Sequence, residues 1–209
     1  LGSASPRASK SIAAAMSGAT RAATLTQRLL AFSRQQPLRP RAVDLNELAT
    51  SMAELIRRTQ GETIHYEFAL GADLPLCFCD ANQLETALLN LVINARDAMP
   101  DGGRLKIETA NAVFDADAAQ RRGIAPGTYL VLAVTDTGSG MPPETVERAF
   151  DPFFTTKETG KGTGLGLSMV YGFAKQSNGH VEIESTPGRG TAVRIFLPRA
   201  RYAMTPVFS

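Results

Sequence analysis

The sequence predicts an α/β (α+β) fold, a two-layer sandwich of a mixed, mostly antiparallel sheet and helices, preceded by one long helix. Three observations carry this. Apolar residues recur at helical spacing over residues 9–36, again from Leu45, after Asp80 and from Leu165. Between these stretches stand short alternating or continuous apolar runs, which is strand periodicity. Helices and strands are interleaved, and the last two strands read as a hairpin across Pro187-Gly-Arg-Gly190.

Taken in order, Ile12, Met16, Ala19, Ala23 and Leu30 make an apolar stripe that Leu25, Leu29 and Phe32 widen. Such a face needs a helical partner. Gln36-Pro-Leu-Arg-Pro40 ends the helix, because proline cannot continue one and disfavours helix before it. We divide the chain there: 1–40 as a helix and linker, 41–200 as a main domain, 201–209 as a tail. Asp44 reads as the N-cap of a helix over 45–59. Thr63 to Leu70 alternates like a half-buried strand with Ile64, Tyr66 and Phe68 inward, and Leu76 to Cys79 reads as a short strand. Asp80 caps a helix to about Ala98. Pro100-Asp-Gly-Gly103 is a turn, followed by strands over 104–112 and 129–136, a helix over 165–177, and strands over 180–185 and 191–197.

Composition bounds the function. With 44% hydrophobic and 20% charged residues, 209 residues suffice for one good core plus an appendage. A net charge of +2 gives no argument for nucleic acid or an anionic membrane. No apolar run approaches the length of a spanning helix. The two cysteines, Cys77 and Cys79, lack zinc spacing and read as ordinary thiols of a reducing cytoplasm.

The stretch that carries chemistry is Thr135 to Ser168. An apolar strand delivers Asp136 to a loop containing Gly138 and Gly140. Phe150-Asp-Pro-Phe-Phe154 follows, and then Gly160, Gly162, Gly164 and Gly166 lead into a helix. Free N–H groups and the positive dipole end at a helix start favour phosphate; a plain flexible loop is the other reading of these glycines. The Walker pattern fails, since Lys161 is followed by Gly162. On the helix after Asp80, Asn90, Asn94 and Asp97 are neighbours at spacings of four and three. They are either a solvated polar face or an oxygen-rich site suited to magnesium held mostly by phosphates.

Together these motifs are more specific. Asn90-Leu-Val-Ile-Asn94-Ala-Arg-Asp97, Asp136-Thr-Gly-Ser-Gly140, Phe150-Asp-Pro-Phe-Phe154 and Gly162-Thr-Gly-Leu-Gly166 resemble, in order, the N, G1, F and G2 boxes of the catalytic ATP-binding domain of sensor histidine kinases. This is the Bergerat or GHKL fold. Pro187-Gly-Arg-Gly190-Thr191 resembles its last glycine motif, and the resemblance covers about residues 44–198. It implies ATP and Mg2+ as ligands. Asn94 would coordinate the metal. Asn90 and Lys157 would serve the transfer chemistry. Asp136 would accept from the adenine amine, Gly138 and Gly140 would let the backbone pass the base, and Met141 and Thr191 would also contact ATP. Gly162, Gly164 and Gly166 would lie against the phosphates, and Asn90, Asn94, Asp97, Phe153, Phe154, Lys161, Thr163 and Leu165 would complete the ATP-binding set. Residues 150–164 would form a lid that Phe153 and Phe154 pack down. Either Lys157 or Lys161 would neutralise phosphate.

Leu29-Leu-Ala-Phe-Ser-Arg34 resembles the end of the second helix of the family's dimerisation hairpin. The helix with the phosphorylatable histidine is absent, since neither His65 nor His180 is followed by an acidic residue in a helix. The resemblance thus implies a cytoplasmic kinase fragment. Its parent would dimerise through the hairpin and relay phosphate through a histidine to a response-regulator receiver domain. A nucleotide-binding regulatory module without transfer, or a serine kinase of the anti-sigma type, are the other readings.

Overall fold

A computed structural model describes residues 39–59, 63–157 and 162–200. The expected long helix over 9–36, the tail over 201–209, and Gly160 and Lys161 lie outside the described residues. Strand β1 (Arg41–Val43) leads into helix α1 (Leu45–Thr59), then β2 (Ile64–Leu70), β3 (Cys77–Cys79) and α2 (Ala81–Asp97). The chain continues through β4 (Gly103–Phe114), α3 (Ala116–Arg122), β5 (Gly127–Asp136), α4 (Pro143–Arg148), α5 (Gly166–Gln176), β6 (His180–Thr186) and β7 (Gly190–Pro198). Among the described residues no helix is long and apolar enough to cross a membrane.

The main sheet has the order β2-β4-β5-β7-β6. β2 and β4 are parallel and the other pairs antiparallel, so the sheet is mixed and mostly antiparallel, as expected. β1 and β3 form a separate two-stranded ribbon. It buries Cys77 and Cys79, whose Sγ atoms lie 3.7 Å apart on one face. Their mutual hydrogen bond and burial push the Cys77 thiol pKa far up, so it is an inert apolar group.

The helices sit where their sequence faces require. Asp44 Oδ1 accepts the N–H groups of Asn46 and Glu47, and Asp80 Oδ1 those of Asn82 and Gln83. Each cap stabilises its helix by about 1 kcal/mol. Leu84, Leu88, Leu91 and Ala95 of α2 are buried against Leu105, Ile107, Leu130, Leu132, Ile195 and Leu197 of the sheet. Leu88→Ala in this layer would cost about 2–5 kcal/mol.

Three elements were not expected from the sequence. β1 is too short to show a period. α4 starts with Pro143 in its first turn, a signal in plain sight. α3 is bounded by Asp115, which caps it, and by Gly123 at φ 63°. This last helix also revises the expected layering. Ala119 packs with Phe114, Tyr129, Val131, Ala133 and Phe196, which point away from the main helical layer. One short helix therefore covers part of the second sheet face.

Candidate nucleotide site

In β5, Leu130, Leu132 and Val134 face the main helical layer, and Asp136 continues the same alternation at the strand end. β7 shows the same alternation, with Thr191 near its start ahead of Val193 and Ile195. The register sets Asp136 directly opposite Thr191. The apolar sheet face thus turns polar at one edge, and it does so around a carboxylate that is only 7% exposed. Asp136 Oδ1 accepts N–H groups from Gly138 at 2.8 Å and Thr191 at 3.3 Å. Oδ2 takes no hydrogen bond among the described residues. Burial raises the Asp136 pKa above the ordinary carboxylate value, with the two amides pulling the other way. A carboxylate with one fixed oxygen and one free is a directional acceptor.

The Gly138–Met141 loop is clasped from both sides. Ser139 N–H donates to Ala98 C=O at the end of α2, and Gly188 N–H in the β6–β7 turn donates to Ser139 C=O. Met141 N–H donates to Ser185 Oγ at 2.8 Å. Gly140 has φ 65°, and a Cβ there would run into the Thr186 carbonyl. Glycine is thus required twice over, by conformation and by space.

The second half of the site lies on α2. Asn90 and Asn94 are half-buried, and the start of α5 packs close to them. A Cβ on Gly166 would sit 3.4 Å from Asn94 Nδ2 and 3.9 Å from Asn90 Cβ. Asn90 Nδ2 is buried with no partner among the described residues. Lys157 Nζ donates to Asp97 Oδ2 at 2.7 Å and reaches Asn94 Oδ1 at 3.5 Å. Arg96 holds the other Asp97 oxygen at 2.8 Å. Burial works against the Asp97 carboxylate, but the Lys157 and Arg96 hydrogen bonds outweigh it and hold its pKa below the ordinary value. Leu165, before α5, gives no side-chain cap to the first-turn N–H groups of that helix.

The structure therefore gathers Asn90, Asn94, Asp97, Lys157, Gly164, Leu165 and Gly166 at one end, and Asp136, Gly138, Gly140, Met141 and Thr191 at the other. Thr163 and Gly162 lie on the segment that returns toward α5, where a Cβ on Gly162 would come 2.8 Å from Thr155 Oγ1. Of the two candidate lysines, Lys157 reaches Asn94, and Lys161 lies outside the described residues. Phe153 departs from expectation. It is 54% exposed and has φ 68°, so its ring turns outward. Its backbone makes the inner contact instead, through Phe153 N–H to Gly164 C=O at 2.9 Å. Phe150 fills the packing role, with its ring 5.2 Å from Tyr171, while Phe154 lies under the Arg148 guanidinium at 4.3 Å. Sequence reasoning did not single out Ser185 or Lys157's partnership with Asp97. The parity of Val181 and Ile183 in β6 was the available signal for Ser185. A separate concavity of about 760 Å3 at the far end of the sheet, near Lys175 and Arg199, lacks any such convergence of groups.

Comparison with known proteins bears on the family and the fold. The family described as histidine kinase-, DNA gyrase B-, and HSP90-like ATPase matches residues 79–201. Sensor kinase CckA of Brucella abortus is 48% identical over 183 residues, which cover 87% of this chain and 19% of that protein. The chain thus spans about a fifth of the length of this relative. Full-length ShkA, solved in complex with AMPPNP, superposes with a TM-score of 0.71 at 24% identity, over 95% of this chain and 40% of that one. Histidine kinase ThkA, solved in complex with the response regulator protein TrrA, superposes with a TM-score of 0.67 at 22% identity, over 96% of this chain and 53% of that one.

Proposed function

We propose that this chain, which belongs to the histidine kinase-, DNA gyrase B- and HSP90-like ATPase family, binds Mg2+·ATP as the catalytic part of a sensor histidine kinase. In this reading its parent passes the γ-phosphoryl to a histidine on a dimerisation helix outside this chain, for relay to a response-regulator aspartate. The observation that carries the nucleotide reading is the half-committed carboxylate of Asp136. Its fixed Oδ1 orients a free Oδ2 for the adenine exocyclic amine, with Thr191 and the Gly138–Met141 loop about the base.

At the other end, oxygen donors on α2 suit magnesium, and one observation tests the fit: a cationic group, the Lys157 ammonium, already lies against Asn94 Oδ1 and Asp97 Oδ2. Asn94 would hold the metal, which would offset the negative charge of the phosphates. Asn90 Nδ2, buried with no partner among the described residues, would orient an oxygen of the transferring group. The uncapped start of α5, with Gly162, Thr163, Gly164, Leu165 and Gly166, offers backbone N–H groups to the phosphates. Lys157 and Lys161 supply positive charge as the lid closes. Catalysis by this chain is then positioning and electrostatics.

The acceptor histidine must come from elsewhere. His65 alternates out of phase with Ile64, Tyr66 and Phe68, and His180 out of phase with Val181 and Ile183. Both therefore project from the sheet face opposite Asp136. His180 is moreover packed by Phe196 and lies 3.6 Å from Glu182, with burial lowering its pKa. Pairing of the parent through its dimerisation helices would bring an acceptor to the phosphate end. The test is radiolabelled ATP given to the chain alone and then with a dimerisation hairpin carrying the family's histidine. We expect no acid-labile label on the chain alone and label on the added hairpin. Label on this chain that disappears with His65→Ala or His180→Ala would contradict the reading.

A further inference from the structure

Ser185 stands opposite Thr191 in the β6–β7 register, and Thr191 stands opposite Asp136 in the β7–β5 register. The three side chains form a cross-strand row on the nucleotide face; Ser185 and Thr191 bond directly, and the Thr191 backbone N–H reaches Asp136. Ser185 Oγ makes three contacts: it accepts Met141 N–H at 2.8 Å, donates to Gly190 C=O at 3.1 Å, and lies 2.8 Å from Thr191 Oγ1. A serine hydroxyl has one proton and two lone pairs. With its proton on Gly190 and one lone pair on the Met141 amide, the second lone pair is filled by the Thr191 proton. This arrangement gives the Met141 amide, the Gly190 carbonyl and both hydroxyl protons a partner. It also strips Thr191 of its only side-chain donor and leaves its oxygen as an acceptor, in the strand position next to the Asp136 carboxylate.

We propose that Ser185 is a specificity-determining positioning residue: by taking the proton of Thr191 and the amide of Met141, it makes the base end read an exocyclic amine and refuse a carbonyl. The inference rests on the assignment of Asp136 to the adenine amine. Two acceptors side by side attract an amine, which has two protons to give, and repel a carbonyl oxygen. Without Ser185 the Thr191 hydroxyl is free to rotate and donate, and a carbonyl at the same place becomes acceptable. Ser185 has no contact with the α2 asparagines, so recognition of the phosphates stays as it is.

The test uses inosine triphosphate, which has a carbonyl in place of the amine and the same ribose and phosphates. Calorimetry gives the ATP-over-inosine-triphosphate affinity ratio, with magnesium, for the wild-type chain and for Ser185→Ala, Ser185→Cys and Ser185→Thr. We expect the ratio to fall about tenfold in Ser185→Ala, the effect of one well-made hydrogen bond. It should fall likewise in Ser185→Cys, which keeps the volume and carries the test if the alanine variant does not fold. Ser185→Thr, which keeps the hydroxyl, should hold the ratio. Affinity for magnesium tripolyphosphate should not change in any of them. Equal loss of both nucleotides, or an unchanged ratio in the folded variants, would overturn the role of Ser185 alone. Failure of the wild-type chain to bind either nucleotide would instead overturn the nucleotide reading.

Discussion

The two ends of the site are built in opposite ways. At the base end, strand register and backbone amides fix every group before any ligand arrives: Asp136 Oδ1 is held by Gly138 and Thr191, and Met141 by Ser185. At the phosphate end the polar groups are held by substitutes or by nothing. Lys157 sits on Asp97 and Asn94, Asn90 Nδ2 has no partner among the described residues, and α5 starts without a side-chain cap. A sheet edge is rigid and suits a flat base that is always the same. A triphosphate brings charge and must be released as a diphosphate, so its end is better made of groups that exchange one partner for another. In the proposed reading, preorganisation would give selectivity at the first end, and exchangeable contacts would give turnover at the second.

The largest expected effect breaks the base end. Asp136→Asn puts a donor where the amine needs an acceptor. Losing a charged hydrogen-bond partner costs about 1.5–3 kcal/mol, or roughly tenfold to over a hundredfold in ATP affinity by calorimetry. The same change should not lower the thermal midpoint of the ligand-free protein at pH 7. The sign follows from the raised Asp136 pKa. The folded state takes up this proton at a pH where the unfolded chain is ionised, so the ionised group costs stability at neutral pH. That cost shrinks as pH falls through the raised value and is gone below the unfolded value near ~3.9. The asparagine variant's stability relative to wild type should follow the same curve. ATP affinity of the wild type should drop on acidification before ordinary carboxylates titrate.

The next effect breaks the phosphate end. Asn94→Ala should weaken ATP binding about tenfold with magnesium, the equivalent of about 1.4 kcal/mol, and much less without it. An equal loss in both conditions would remove Asn94 from the metal. Lys157→Met should be milder still, because the Lys157–Asp97 pair is about a third and a quarter exposed on its two sides. We expect a loss of about three- to fivefold for ATP at low salt, vanishing in high salt as the charges are screened, and none for adenosine. The smallest effect sharpens the comparison at the lid. Phe153→Ala should change stability by less than about 0.5 kcal/mol in chemical denaturation, because its ring is exposed, whereas Phe150→Ala should cost more.

How much of this was legible in the sequence follows the same division. The base end was readable because it obeys a period: Leu130, Leu132 and Val134 carry Asp136 to the core face at a strand end, and a step of two carries Val193 to Thr191. The caps Asp44 and Asp80 were readable because they act within three residues. The layering was readable except for α3, whose Asp115 and Gly123 bracket a helix too short for an apolar stripe. The phosphate end was only half readable. Spacing placed Asn90, Asn94 and Asp97 on one helix face, but the pairing of Lys157 with Asp97 crosses 60 residues and depends on how the chain returns to α2. Phe153 misled because its composition signals burial. Its backbone is left-handed and lies close against Gly164, and its ring is turned to solvent.

The most direct test of the contrast is amide hydrogen exchange read residue by residue, with and without magnesium and a non-hydrolysable ATP analogue. The account predicts that Gly138, Met141 and Thr191 are already protected in the free protein and gain little on binding, since each amide is hydrogen-bonded at the start. Gly164, Gly166 and Leu167, beside the asparagines and at the uncapped start of α5, should exchange quickly when free and gain most of their protection from the nucleotide. Strong ligand-induced protection at Gly138, Met141 and Thr191, with the α5 start unchanged, would contradict it.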